Sequence, residues 1–466
     1  MSLAFPAITG TTRNVANIAE FNAAIAAAGS GDEIVLADGT YTVSSAITAS
    51  SFTTNGSQGG ITIRSASNNP VACVLSGNGF QFQFATTSIF ALKGIGIVSS
   101  SGVQGFNARA GNYRLENIRI TGDFSSEIFS ISDAAGDISL DLLDAYIEGS
   151  GGDGDLVNGF ASGTNAFNVR LIRSTFKGNG NTVGQVLTGH LSEGLTCWGC
   201  SISDSIGTAL IESDATGFNH LFFCDFGLGA IGTNQLVRKS NVLGCKGGNF
   251  GTDVDNLYMY CSYTDAFDNQ FRNYTFTSGL IRHNYFIGDG TENRHVFNNG
   301  ASGGTISSNI FDNLLEAVLM NFAASPQLKA TLSNNTYINC TTALNVPDSD
   351  LPLELINNAC LNNTTSINTS TAAFTTYTGG NNIFDPAVDA DYTGLTGDVL
   401  GVDADLDESL IPVANGNADN GSGQSTSDPL GLSDWAGLPY LYSQTAYPVG
   451  ARARPISDGD LYPDAV

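Results

Sequence analysis

NNTYIN, residues 334–339, reads on its own as a turn leading into a short apolar segment. Asn tolerates the left-handed backbone of a tight bend. The pattern recurs in HNYFIGD (283–289), SNIFDN (308–313), NNACLN (357–362) and NNIFDP (381–386). In each, one Asn is followed two residues later by an aromatic or apolar residue. Those Asn are Asn284, Asn309, Asn335, Asn358 and Asn382, at spacings of 25, 26, 23 and 24 residues. Three residues before the first four stand Ile281, Ile306, Leu332 and Leu355.

The same frame extends upstream. Leu115, Ile118 and Ile120 fit it, then Leu142, Ala145 and Ile147, then Leu171, Ser174 and Phe176. Cys197, Cys200 and Ile202 follow, then Leu221, Cys224 and Phe226. Val242 and Cys245 fit with Gly247, and Tyr258 and Cys261 with Tyr263. About thirteen repeats of ~24 residues run from Ile95 to Asn382, the length of one solenoid coil. Strand-like triplets without helical periodicity predict an all-β, single-stranded parallel β-helix in which each coil completes its core against its neighbours. At ~4.8 Å per coil it would extend roughly 60 Å, with the Asn amides stacked as a ladder. The 16-residue step from Cys245 to Cys261 is short for a full coil. Together with the aromatic run Tyr258, Tyr260, Tyr263, Phe267, Phe271, Tyr274 and Phe276, it predicts a loop excursion between about 246 and 278.

Composition agrees with short strands and tight turns. The chain has 466 residues, 55 of them Gly, and only 13% are charged. A net charge of −26 disfavours nucleic acid and anionic membrane surfaces as partners, since both select basic surfaces. An acidic polysaccharide would need a local basic patch or a bridging divalent cation. No apolar run approaches the ~18 residues of a membrane span, so no membrane insertion is expected. High acidity with little Lys suits a location outside the cell, at its surface or in a virion.

Asn17-Ile18-Ala19-Glu20 has the pattern of a capping box, and Ile18, Phe21 and Ile25 follow at helical spacing. A short amphipathic helix is expected to cover the N-terminal end of the solenoid, where an open coil would expose a sheet edge. The expected organisation is an N-terminal segment with a capping helix (1–32), the parallel β-helix (33–400) and a loop-rich C-terminal cap or tail (401–466).

FNAAIAAAGSGDEIVLADGTYTV (21–43) resembles the opening segment of right-handed parallel β-helix proteins of the pectate-lyase-like superfamily. It is similar in particular to the polysaccharide lyase family that includes alginate lyases and chondroitinase B. VDADLDESLIPVANGNADNG (402–421) and SDWAGLPYLYSQTAYPVGA (433–451) are similar to the tails of secreted or surface β-helix proteins. The resemblance implies a right-handed coil and a carbohydrate ligand. That family places a Lys in an Asn-Lys-Ser motif and an Arg in a Leu-x-x-Arg-His-Gly motif. Here GLIRHNYF supplies Arg282 and His283, and RKSN (238–241) supplies Lys239 without the preceding Asn. Lys239 and Arg282 are 43 residues apart, about two coils where the family has one. The family's calcium-binding acidic residues have no clear counterpart.

A second constellation follows from the coil register alone. His190 and Asp214 each lie ten residues before a ladder position, in adjacent coils. Glu212 and Arg238 fall nearby on the same strand face. A His beside carboxylates and an Arg can do acid/base work on a sugar. Glu212 and Asp214, alternate residues of one strand, would sit ~6.5–7 Å apart at Cα, compatible with a glycoside hydrolase pair. A solvated row of polar side chains is the alternative.

CWGC (197–200) has the spacing of a redox pair or half a zinc site. Neither the helix of the first nor the further ligand pair of the second is signalled. The repeat makes both cysteines inward core residues, with Cys200, Cys224, Cys245 and Cys261 at one position of four successive coils. Ca²⁺ is a candidate cofactor, through Asp403, Asp405 and Asp407 or GGDGD (151–155), although neither completes a calcium loop. No organic cofactor is called for.

The sequence therefore points to a carbohydrate-active β-helix protein, a polysaccharide lyase or glycoside hydrolase acting on an acidic extracellular polysaccharide, and monomeric. The alternative is a non-catalytic surface or tail-type virion protein that binds glycans, which would be a homotrimer.

Overall fold

A computed structural model describes most of residues 7–178, strand segments between 187 and 299, and most of 305–401. The chain forms two compact units, Met1–Ser240 and Asn241–Val466. Both are β-solenoids built from short parallel strands, and one short helix precedes the solenoid of the first.

That helix is Ile18–Ala27, and its start is fixed by side chains. The Asn17 side chain accepts the Glu20 backbone N–H at 3.0 Å. Glu20 reaches back to accept the Ala16 N–H at 2.8 Å and the Asn17 amide at 2.8 Å. The carboxylate thus serves the residue before the cap, a variant of the expected capping box that still satisfies donors the first turn would otherwise leave orphaned. Phe21, Ala24 and Ile25 are buried. Phe21 meets Tyr41, with ring centroids 6.2 Å apart, and the Tyr41 hydroxyl is within hydrogen-bonding distance of the Val15 and Ala37 carbonyls. Asp32 closes the segment by accepting from Thr11 and Gly29 N–H and from Arg13, at 2.6, 2.9 and 3.0 Å. Burial works to raise its pKa, but these bonds and the Arg13 charge hold it below the usual carboxylate value.

In the first unit each full coil contributes one strand to each of three sheets. The register is the one read from the sequence. Leu115 pairs with Leu142, Leu142 with Leu171, Leu171 with Cys197 and Cys197 with Leu221. On the second sheet Ile120, Ile147, Phe176, Ile202 and Phe226 pair in succession. A single left-handed residue joins the two sheets in each coil: Asn117, Asp144, Arg173 and Gly199, with φ of 51°, 51°, 47° and 61°. The next residue points inward. Ile118, Ala145, Ser174, Cys200 and Cys224 all fill that position and all are buried. On the third sheet Phe82, Phe106 and Phe129 stack, their ring centroids 5.2 and 4.8 Å apart.

The second unit repeats the plan with a different corner. Ile281, Ile306, Leu332 and Leu355 pair in register, as do Phe286, Phe311, Tyr337 and Cys360. The left-handed residues are Ser308, Asn334, Asn357 and Asn381, each followed by an inward Asn. The Asn309 backbone and side-chain amides both donate to Asn335 Oδ1, at 3.1 and 3.0 Å. Asn335 does the same to Asn358, and Asn358 to Asn382. Each Nδ2 of Asn335, Asn358 and Asn382 also donates to a backbone carbonyl, of Ile306, Leu332 and Leu355 respectively. The expected asparagine ladder is therefore a continuous hydrogen-bonded stack. A second left-handed corner follows at Asn313, Asn339 and Asn362.

The ladder has one more rung than the sequence pattern revealed. Asp398 Oδ1 accepts the Asn382 N–H at 2.8 Å and its side-chain amide at 2.9 Å. Asp398 Oδ2 accepts from the Tyr392 hydroxyl and the Leu395 N–H at 2.5 and 2.8 Å. Ile383 pairs with Val399 and Phe384 with Leu400, a step of 16 residues. Gly397, at φ 80°, takes the corner place held by Asn381 one coil earlier. A carboxylate has no N–H to pass on, so this rung terminates the ladder.

Two further expectations change. Val242 pairs with Tyr258 and Lys246 with Ser262, again a 16-residue step. The short coil is therefore in register, and strands Leu257–Met259, Ser262–Thr264 and Phe271–Asn273 occupy the span expected to be a loop excursion. Strand pairing on two sheets tolerates the short coil. Residues 402–466 lie outside the described residues, as do Cys245 and Cys261.

Candidate functional site

The residue before each inward anchor on the first sheet faces outward. In the first unit this gives the paired row Ala91, Arg114, Asp141, Arg170 and Thr196, in which Ala91 and Asp141 are themselves covered. Two residues on in each strand runs a second row, Arg64, Lys93, Glu116, Leu143, Ile172, Trp198 and Phe222. Period-two alternation puts both rows on one face.

Ion pairs organise that face. Arg170 grips Asp141 with two bonds, of 2.6 and 2.7 Å, and the Asp141 side chain is only 2% exposed. Such a fork is the strong form of a charge-assisted bond. Glu116 takes Lys93 at 2.8 Å and Arg114 at 3.0 Å. Burial tends to raise the Glu116 carboxyl, and the bonds and charges of Lys93 and Arg114 outweigh it and hold it down. Arg64 pairs with Glu33 at 2.6 Å. Four cations thus meet three carboxylates (Glu33, Glu116 and Asp141) on a chain whose net charge is −26. On the second sheet the Tyr146 hydroxyl donates to Glu148 at 2.8 Å, with the Arg119 guanidinium 4.9 Å from its ring centroid. The bond to Glu148, then burial, raises the Tyr146 pKa, so this hydroxyl is a donor at neutral pH and not a base.

Of the residues singled out by sequence, Glu212 and Arg282 have described backbones. Glu212 lies in strand Ile211–Ser213 and pairs with Thr188. Gly189 pairs with Ser213 in the same register, and His190 and Asp214, the next residue of each, lie outside the described residues. Arg282 ends strand Leu280–Arg282 and pairs with Ser307. His283, Arg238 and Lys239 lie outside the described residues. Glu212 belongs to the first unit and Arg282 to the second. The calcium candidates Asp403, Asp405, Asp407 and GGDGD (151–155) also lie outside them, and among the described residues no group of three or more His, Cys, Asp or Glu could hold a metal.

Cys197 and Cys200 are settled. Both are buried free thiols, as are Cys73, Cys224, Cys340 and Cys360. The Cys200 thiol donates to the Leu171 carbonyl at 3.2 Å. Its Cys197 neighbour pulls its pKa down, but Cys224 and burial push it up to about 12, so no reactive thiolate forms at neutral pH.

The cations at Arg64, Lys93, Arg114 and Arg170 escaped the sequence reading. Their signal is positional: Arg114 and Arg170 immediately precede the inward anchors Leu115 and Leu171, so the register already placed them on one face.

No protein-family model matches the chain, and no curated protein matches it. Among solved structures, it is similar to the PL6 family alginate lyase AlyGC, at 14% identity and a TM-score of 0.35, covering 97% of this chain and 59% of that one. The chain thus spans about 59% of the length of that lyase. It is also similar to pectate lyase Pel9A, at 17% identity and a TM-score of 0.28, covering 96% and 98% of the two chains. A mannuronic acid specific family 6 lyase from human gut microbiota gives 10% identity and a TM-score of 0.35, covering 69% and 87%. The fold assignment rests on the strand pairing described above: the chain is a parallel β-helix protein whose described residues include no helix long and apolar enough to cross a membrane.

Proposed function

We propose that this is a carbohydrate-active parallel β-helix protein acting outside the cell, a polysaccharide lyase in preference to a glycoside hydrolase. The observation that carries the reading is the ion-paired outward face of the first unit. A small cation surplus there, on a strongly acidic chain, gives a polyanion a place to lie. The resemblance of residues 21–43 to the opening segment of lyases supports the same conclusion. A right-handed coil of about thirteen turns and a monomeric state belong to this reading.

In β-elimination a cation neutralises the uronate carboxylate and a base removes the C5 proton. The C5–H electrons form the C4=C5 double bond, and the glycosidic oxygen leaves C4 with its bonding pair. Arg282 is the proposed carboxylate partner and His283 the proposed base. The group His190, Glu212, Asp214 and Arg238 would serve the hydrolytic alternative. A bridging Ca²⁺ could supply further positive charge.

The test is incubation of the full chain with alginate, pectate, chondroitin and ulvan, with and without Ca²⁺. Absorbance at 235 nm and released reducing ends are followed together. A lyase raises both and a hydrolase only the second. If neither rises while a polysaccharide binds, the protein is a glycan-binding surface or virion component, and a trimer on sizing would support that.

A further inference from the structure

Five large apolar side chains are exposed among the described residues, and Trp198 is the only aromatic one, at 49%. It stands in the outward row Leu143, Ile172, Trp198, Phe222, on neighbouring coils of the first unit. Phe222 meets it edge-on, with centroids 5.4 Å apart and planes at 69°, which fixes the orientation of the indole. Beside it runs the corner Asp144, Arg173, Gly199. Gly199 is exposed with φ 61°, and the nearest atom to a Cβ built there is Arg173 Cγ at 3.8 Å, so the Arg173 side chain lies against this corner. Arg173 is bound to Asp144 by two bonds, both of 2.7 Å, while its side chain stays 61% exposed.

An oriented aromatic plate thus sits beside a fixed guanidinium–carboxylate pair. A pyranose ring has the matching form: an apolar C–H face and a rim of hydroxyls that both donate and accept. An apolar peptide would gain nothing from the charged corner. A bare polyanion would gain nothing from the indole.

We propose that Trp198, oriented by Phe222 and rimmed by Arg173 and Asp144, is a sugar-stacking subsite for one pyranose unit of the polysaccharide. The proposal rests on the reading that the ligand is a polysaccharide, and it is independent of any chemistry at Arg282. Trp198 is held in place by its strand and its Phe222 contact, so the subsite is preformed.

The chain has two tryptophans, so Trp435→Phe leaves Trp198 as the sole indole reporter. In the full chain carrying that change, a polysaccharide that binds should shift or quench the emission saturably. In affinity electrophoresis against the same polysaccharide, Trp198→Ala should bind about ten-fold more weakly. Trp198→Tyr, which keeps a plate, should stay within about three-fold of wild type. Equal melting temperatures exclude a folding defect. If wild type binds while Trp198→Ala binds equally well and the emission does not change, the subsite is wrong and the carbohydrate reading stands. If wild type binds no polysaccharide, both are wrong.

Discussion

The two units solve one problem in different ways. Where the chain turns from the first sheet to the second, the residue after the left-handed corner must point into the core. The first unit fills that place with Ile118, Ala145, Ser174, Cys200 and Cys224. Each polar member bonds to backbone groups: the Ser174 hydroxyl accepts the Ala145 N–H of the preceding coil at 3.1 Å and lies 3.0 Å from the Ile172 carbonyl, the Cys200 thiol donates to Leu171 one coil back, and the Cys224 thiol donates to Phe222. The second unit fills it with Asn309, Asn335, Asn358 and Asn382, whose bonds run from coil to coil and end on Asp398. A residue whose side chain bonds to backbone can be exchanged without breaking a side-chain stack. A ladder residue cannot, because its neighbours use it as both donor and acceptor. Polar networks are cohesive when complete and costly when broken.

The largest effect should therefore come from the middle of the ladder. Asn335→Ala removes the acceptor of both Asn309 amide donors and the side-chain donor to Asn358 Oδ1 and to the Ile306 carbonyl, while the backbone N–H of residue 335 still serves Asn358. At ~1–3 kcal/mol per orphaned buried group, a loss of about 3 kcal/mol is expected in urea unfolding. A loss under about 0.5 kcal/mol would mean that the ladder does not bind the coils together.

At the end of the ladder the effect should be smaller, because water can reach the terminal coil. Asp398→Ala should cost about 2 kcal/mol, and Asp398→Asn, which keeps the acceptor facing Asn382 but loses the one serving Leu395 N–H, about 1 kcal/mol. Equal costs for the two would show that the carboxylate acts by charge and not as the last acceptor.

The thiols add a pH dependence. Burial pushes Cys73 up to about 11, and Cys340 up to about 12, the value also reached by Cys200. A raised thiol pKa contributes stability that is complete below the unfolded value near 9 and is lost as pH rises through the folded value. Each thiol should cost ~1.4 kcal/mol per pH unit above about 9. Cys200→Ala should flatten the decline between pH 8 and 10 by about that amount. An unchanged slope would show that Cys200 ionises in the folded protein.

The smallest effect is a gain. The Tyr337 ring stacks on Phe311 at 4.9 Å, but its buried hydroxyl has no hydrogen-bond partner among the described residues. Tyr337→Phe should raise stability by about 1 kcal/mol. A measured loss would reveal a partner for that hydroxyl.

The fold was legible because side chains repeat where coils stack. Leu115, Leu142, Leu171 and Cys197 gave the register residue by residue, but at the 16-residue step the spacing pointed to a loop excursion where the strands in fact stay paired. Asp398 was not legible: it breaks both the residue type and the interval, since 16 residues separate it from Asn382. The outward face was half legible. The register placed Arg114 and Arg170, but pattern reading follows apolar periodicity, and an ion-paired face has none. His283, Lys239, Arg238, His190 and Asp214 fall where sequence offers only motif fragments and coil arithmetic.

The most direct test of carbohydrate activity is absorbance at 235 nm with wild type and Arg282→Ala side by side on the four acidic polysaccharides. The account predicts a steady rise on at least one of them with wild type and at least a hundred-fold slower rise, ~2.7 kcal/mol, with Arg282→Ala at an unchanged melting temperature. No rise on any of the four, or an equal rise in the variant, would contradict it.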